Sequence, residues 1–416
     1  HDFFEGEFRH NPHPDTFFEA NQRWSNFSLD ILARPQVNQF FDTVERLPDI
    51  TFTGLRQQLG NSPLFYESET SAAYLRERSG LLGETNYSAF RGDTYHQVVL
   101  PRTYFGWLNV TPRVGGRFTY YANPDNDSVA PDDRHRAVLN TGAEISTRAS
   151  RTWGGITNRT FDLSGLRHVV EPSINYVFVP EPGRRPPALP QFDEALPSLR
   201  LLPVDYPDYN AIDSVDSQNV LRFGLRNRLL TRRDDDVASL LSWRVMTDWR
   251  LKPEPGQTTF PEVYSDLDFA PRKWLTLGSE VRYDINGERW RESNHRITIL
   301  PNDTWHWTVG HRYLREDEGG PGPGNNLVYS SVYFRVNENW GFRASHHFEG
   351  RDGLLEEQYY TVYRDFRSWT GALTFRLRDQ RTSADDWAVV VTFSLKAFPR
   401  FKLNEDRDRL ERLLGG

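Results

Sequence analysis

Cysteine is missing from this chain altogether. Its absence excludes a disulfide framework, a thiolate metal site and a cysteine nucleophile. Long apolar runs are missing too. No stretch approaches the ~18 consecutive apolar residues that a membrane-crossing helix needs. Lysine is scarce: Lys252, Lys273, Lys396 and Lys402 are the only four, so 46 of the 50 basic residues (50 less 4) are arginine. Aliphatics are few as well, with 37% hydrophobic residues and a mean hydropathy of -0.68 over 416 residues. A soluble core of this size would collect more Leu, Ile, Val and Ala. What the chain does have is aromatics, 12 Trp, 18 Tyr and 27 Phe, which argues against long disorder. The net charge of -7 argues against non-specific nucleic-acid binding. The arginine excess has two readings, a GC-rich coding sequence or a need for planar forks that grip carboxylate or phosphate.

Period-2 alternation dominates what remains. From Trp243 to Lys252 one face reads Trp243, Val245, Thr247, Trp249, Leu251, and the other Arg244, Met246, Asp248, Arg250, Lys252. Leu221, Phe223, Leu225 and Leu229 stand opposite Arg222, Gly224, Arg226 and Arg228. Trp369, Gly371, Leu373, Phe375 and Leu377 alternate with Thr370, Ala372, Thr374, Arg376 and Arg378. The last clear segment sets Trp387, Val389, Val391, Phe393 and Leu395 against Ala388, Val390, Thr392, Ser394 and Lys396. Comparable stretches, among them 136–150 and 166–179, bring the count to roughly nineteen strands with almost no helical pattern.

Connections fall into two kinds. Some are short, such as Asn286-Gly287, a favoured two-residue hairpin turn. Others, at 123–135, 180–216 and 316–325, are long and rich in Pro, Gly and Asp. Trp243, Trp274, Trp305, Trp340, Trp369 and Trp387 are each expected near a strand end. Short turns, long loops and aromatic girdles together describe a transmembrane β-barrel, in which only the outward face is apolar. The fold class is therefore all-β, a large antiparallel transmembrane barrel of about 18–20 visible strands. It would span 1–403, with a charged tail at 404–416. In such a barrel the arginines Arg222, Arg226, Arg228, Arg244, Arg250, Arg312, Arg343, Arg376 and Arg378 face the lumen. A charge on the lipid face costs about 2–4 kcal/mol near the midplane. Those arginines could guide acidic sugars and phosphates, or simply pair with acids such as Asp248, Glu280, Asp284 and Glu349.

Catalytic constellations are thin. No G-x-S-x-G, H-E-x-x-H or phosphate-binding Gly-rich loop occurs. His346 and His347 are adjacent, so in a strand they point to opposite faces and cannot share a metal. Asp125, Asp127, Asp132 and Asp133 lack calcium-loop spacing and read as a solvated acidic loop. No enzyme, no cofactor and no metal are expected.

The stretch His168–Leu229 contains Glu171-Pro172, Tyr176, Val179-Pro180, Phe192-Asp193, Asp213, Asn219, Gly224-Leu225 and Arg228 in that order. This order resembles the barrel of the LptD family, the lipopolysaccharide-assembly proteins of Gram-negative outer membranes. Arg46–Gly54 (RLPDITFTG) is similar to that family's early-barrel strand, and Phe393–Phe401 (FSLKAFPRF) to its closing strand. The resemblance covers about 16–402. It implies a 26-stranded barrel that inserts lipopolysaccharide into the outer leaflet through its lumen and a lateral gate. It also implies an LptE-like plug lipoprotein, a periplasmic LptA-like bridge and outer-membrane lipid as partners. Glu171, Pro172, Asp193, Asp213 and Asn219 become the family-motif residues, and Trp387, Val389, Val391, Phe393 and Leu395 one lip of the gate. The sequence departs from the pattern in having fewer strands, no periplasmic jelly roll and no linking cysteines, so a mature or truncated chain lacking the first barrel strands is expected. A porin or TonB-type receptor barrel is the alternative, and an inward-folded constriction loop would favour it. A third reading, a soluble β-rich binding protein, would be favoured by purification without detergent.

Overall fold

The computed structural model describes residues 16–37, 43–78, 87–122, 134–193, 201, 212–234, 236–315, 324–379, 386–396 and 402–403. It is all-β, with every described strand pairing antiparallel. The early strands are β1 (Phe18–Arg23), β2 (Phe27–Arg34), β3 (Thr43–Gln58), β4 (Phe65–Arg78), β5 (Tyr87–Val99) and the short β6 (Arg102–Tyr104). They continue as β7 (Leu108–Ala122), β8 (Arg134–Thr147), β9 (Ala149–Asn158), β10 (Leu163–Val179), β11 (Gln218–Arg233) and β12 (Asp236–Arg250). Next come β13 (Glu262–Arg272), β14 (Leu275–Asp284), β15 (Arg289–Ile299), β16 (Trp305–Leu314) and β17 (Asn325–Arg335). The last are β18 (Trp340–Glu349), β19 (Leu354–Asp365), β20 (Trp369–Arg378), β21 (Asp386–Leu395) and the two-residue β22 (Lys402–Leu403). A single 3-10 turn at Pro186–Ala188 is the only helical element among the described residues. The chain divides into two compact units, one of residues 1–147, 172–223 and 248–259, the other of 148–171, 224–247 and 260–416.

In the first unit β2 through β5 and then β7 and β8 pair in chain order, and β8 goes on to pair the second half of β10. Register makes the pattern inside out. Along β5, Ala89, Arg91, Asp93, Gln97 and Val99 are buried, while Phe90 between them is exposed. Ile50, Phe52, Tyr74, Val114, Phe118 and Leu139 are likewise exposed, whereas Arg136, Asn140 and Thr119 are buried. Water would not tolerate that arrangement, since apolar area left exposed forfeits about 25 cal/mol per Å². A hydrocarbon surround accounts for it directly.

In the second unit β12 to β21 form an up-and-down meander, each strand paired with the next. One face carries Arg244 opposite Asp266, Asp266 opposite Glu280, and Arg343 opposite Thr361. The other carries Trp243, Ile297, Trp307, Val332, Phe342, Val362, Leu373 and Val391, all exposed. Turns at one end (273–274, 300–304, 336–339, 366–368) are shorter as a group than those at the other (285–288, 315–324, 350–353, 379–385).

Three details differ from the sequence reading. Asn286-Gly287 lies in a four-residue turn rather than a two-residue one. The Asp284 carboxylate accepts the Asn286 and Gly287 amides at 3.0 Å each, and Glu288 takes a positive φ of 50°, which together need the longer loop. Trp243 sits mid-strand in β12, not at an end. Trp274 occupies the β13–β14 turn, and Trp305, Trp340 and Trp369 begin their strands. Finally, 149–165 is mostly strand. β9 has no alternating apolar set and contains Gly154-Gly155, so its extension comes from pairing with β10 rather than from its own pattern.

Candidate functional site

The long connection after β10 brings two aspartates onto a buried arginine. Within the first unit, its described residues fold back onto the covered face of β5, β7 and β8. Leu189 and Phe192 pack with Ala73, Leu75, Ala89 and Tyr121, and Leu201 and Val215 with Val138, Val177, Val179 and Val220. The Phe192 ring lies 5.0 Å from that of Tyr87, whose hydroxyl donates to the Gln191 carbonyl.

At the centre stands Arg91, 2% exposed, on β5. Its Nη1 donates to Asp193 at 2.6 Å and to Asp213 at 2.9 Å. Asp213, fully buried, also accepts from the Tyr121 hydroxyl, the Phe192 amide at 2.7 Å and the Asp193 amide at 3.1 Å. Asp193 takes Arg46 at 3.1 Å and the Ile212 amide at 3.1 Å. Arg46 reaches it because the register of β3 shifts between Arg46 and Asp49, which also brings those two side chains to 2.5 Å. Arg136 then clamps the main chain, donating to the carbonyls of Ile212 at 2.5 Å, Asp213 at 3.2 Å and Val215 at 2.7 Å. Two aspartates converge on one guanidinium, and their environments separate them. Burial opposes ionisation of Asp193, but Arg91 and Arg46 together hold its carboxyl below the ordinary range. Burial pushes the Asp213 carboxyl up, and the Asp193 charge adds to that push.

A second tie lies at the segment's edge. Ser217 Oγ donates to Glu254 at 2.8 Å and Arg185 donates to the same carboxylate at 3.2 Å. The Ser217 hydroxyl is the largest influence holding the Glu254 carboxyl below its ordinary range, with Arg185 adding to it against slight desolvation.

The family-motif residues therefore have definite positions. Asp193 and Asp213 meet, Asn219 accepts the Tyr176 hydroxyl at 3.2 Å, and Glu171 accepts both bonds from Arg228, at 3.0 and 3.1 Å. Pro172 lies within β10 beside Glu171. Arg91, Tyr121 and Arg136 were not singled out in the sequence, and Arg46 stood out there only as the start of the Arg46–Gly54 motif. Nothing distinguishes Arg91 from 45 other arginines until the fold brings the motif aspartates to it. The available signal was that the motif aspartates Asp193 and Asp213, if buried, require cationic partners.

Each of the nine singled-out arginines lies within a strand. Arg222 makes a two-point contact with Asp248 at 2.6 and 2.7 Å, Arg376 meets Asp386 at 2.5 Å, and Arg378 lies 3.8 Å from Glu357. Arg250 donates to the Thr258 carbonyl at 3.4 Å. Arg244 stands opposite Asp266 and Arg312 opposite Asn294, and Arg226 is exposed on β11. Arg343 lies over the rings of Tyr333 and Tyr363. Asp284 and Glu349 have local arginine partners in Arg289 and Arg351. On β21, Trp387, Val389, Val391, Phe393 and Leu395 are all exposed on the apolar face, Trp387 most at 67%. One edge of β21 pairs fully with β20, and on the other, among the described residues, β22 pairs with Phe393 and Ser394. His346 and His347 do point apart, to Tyr360 and Glu357 respectively. The acidic loop at 123–133 and the tail at 404–416 lie outside the described residues.

The family model for LptD, LPS transport system D, matches residues 19–340. The chain belongs to the LptD family. With that membership goes a transmembrane β-barrel of the outer membrane concerned with lipopolysaccharide transport. No curated protein matches. Among solved structures, the LptD-family chain is similar to a mutant of the ferric enterobactin receptor PfeA of Pseudomonas aeruginosa in complex with enterobactin. Identity is 10%, covering 92% of this chain and 70% of that one, with a TM-score of 0.38. It is also similar to the copper transporter OprC, at 11% identity, 91% and 69% coverage and a TM-score of 0.32.

Proposed function

We propose that this chain is the translocon barrel that inserts lipopolysaccharide into the outer leaflet of a Gram-negative outer membrane. The observation that carries the reading is the inside-out strand face. Arginines and acids line the polar side, and Phe, Trp, Val and Leu line the other. The saccharide, with its phosphates and acidic sugars, would travel along the arginine-bearing face, where guanidinium forks exchange oxyanions between neighbouring sites. The acyl chains would leave past β21, whose outward row is wholly apolar. An LptE-like plug lipoprotein and a periplasmic LptA-like bridge are the partners this role calls for.

The test is joint neutralisation of Arg222, Arg244, Arg312 and Arg376 to glutamine, followed by surface labelling of newly made lipopolysaccharide. Delivery should slow severalfold at normal barrel levels; unchanged delivery would sink the proposal. For the gate, a disulfide tether between β21 and the first strand of the intact barrel should block release. A receptor or porin barrel is the second reading, and the folded-back segment after β10 is the observation that favours it. Solute uptake abolished by Arg91→Met, with lipopolysaccharide delivery intact, would establish that reading instead.

A further inference from the structure

Within the second unit, a cleft of about 320 Å³ opens on the polar face where β16 to β20 end in short turns. A volume of that size is at the lower end for a small-ligand site. Its floor is aromatic. The His306 ring stacks on Tyr333 at 5.1 Å, and Tyr333 meets Tyr363 edge-on at 6.1 Å. Arg343 lies across both, its guanidinium carbon 5.8 Å from the Tyr333 centroid and 5.4 Å from that of Tyr363. Gly341 makes this packing feasible, because a Cβ there would stand 2.7 Å from the Tyr333 hydroxyl oxygen. The rim carries acceptors: Glu338 in the 336–339 turn, and Asp365, which is met by Lys396 at 2.7 Å and the Thr370 hydroxyl at 3.0 Å.

We propose that this cleft binds a phosphorylated or carboxylated sugar. The inference rests on the transport reading above and places a recognition point along that path. A guanidinium laid over two aromatic rings is restrained in position, and its planar fork is the donor type that suits an oxyanion entering the cleft. Acceptors beside that donor suit a ligand that offers hydroxyls as well as one anionic group. Short turns mark the periplasmic end of an outer-membrane barrel, so the cleft would meet an arriving saccharide early.

The experiment uses the full chain in detergent micelles and the de-acylated, phosphorylated glucosamine disaccharide as soluble probe, with affinity read by calorimetry. Arg343→Gln should weaken binding about tenfold, since a charge-assisted hydrogen bond is lost. Arg343→Lys should fall between, because it keeps the charge and loses the fork. Gly341→Ala should also weaken binding by displacing Tyr333 while leaving Arg343 in place. Lys273→Gln, remote in the β13–β14 turn, serves as the control. Equal affinity in all four variants would overturn the site while leaving the transport reading untouched. Inorganic phosphate binding as tightly as the disaccharide would overturn the sugar assignment. Failure of intact lipopolysaccharide to photo-crosslink anywhere on the polar face would remove the transport reading itself.

Discussion

Replacing Asp213 by asparagine changes one atom and should release the folded-back segment. In the native side chain Oδ1 accepts from Arg91 and Tyr121, and Oδ2 from the Phe192 and Asp193 amides. An asparagine has one acceptor oxygen, so in either amide orientation its NH₂ faces a pair of donors. Arg91 keeps Asp193 but loses half its counter-charge in a place where it is almost fully buried. Breaking a buried pair from one side costs about 3–5 kcal/mol. At about 1.4 kcal/mol per decade, the Phe192 and Asp193 amides should exchange with solvent roughly a hundredfold to several thousandfold faster. Hydrogen exchange read by mass spectrometry over 186–193 measures this directly. Tyr121→Phe removes one of four donors, leaves no buried charge unpaired, and should cost only about 1 kcal/mol. If Asp213→Asn and Tyr121→Phe gave the same small effect, the buried cluster would not be what holds the segment. An Asp213→Asn/Arg91→Met double variant less perturbed than the sum of the singles would show that the two act as a pair.

Other consequences follow from the same contacts. A double-mutant cycle on Arg222 and Asp248, a two-point pair with both side chains largely covered, should return a coupling of about 1.5–3 kcal/mol in denaturant unfolding from micelles. Glu254 is held below its ordinary value of 4.5, so its contribution is complete above that value and is lost as pH falls through its depressed pKa. Protection of amides 215–217, corrected for intrinsic exchange, should therefore drop on acidification below 4.5, and Glu254→Gln should abolish the dependence. Leu373→Arg places charge on the apolar face of β20 and should cost about 2–4 kcal/mol in folding into bilayers, whereas Thr374→Arg, one residue on and facing the polar side, should cost far less.

Much of the fold was legible in the chain because a strand's period is short and local. Arg244 and Trp243 are adjacent in sequence, and extended backbone alone sends them to opposite faces. The same rule separates Trp387 from Ala388 and Arg376 from Phe375. It fails where the local pattern is silent. β9 carries no alternating apolar set, and only its pairing with β10 makes it a strand. The four-residue turn at 285–288 was also hidden, since the Asp284 carboxylate that captures two amides competes with the hairpin preference of Asn-Gly.

Composition determined from the outset that a chain without cysteine, with few aliphatics and many aromatics, must put its apolar residues somewhere other than a soluble core. Alternation then fixed which residues share a face, and the order of motifs pointed to the family. What sequence could not supply was which residues meet across long separations. Arg91 lies 102 positions from Asp193 and 122 from Asp213, and Arg46 lies 147 from Asp193. Arg343 likewise became distinctive only when Tyr333 and Tyr363 closed around it. Periodicity is encoded residue by residue, but the cost of burying a charge is met only when a distant partner arrives, and tertiary structure alone decides which partner that is.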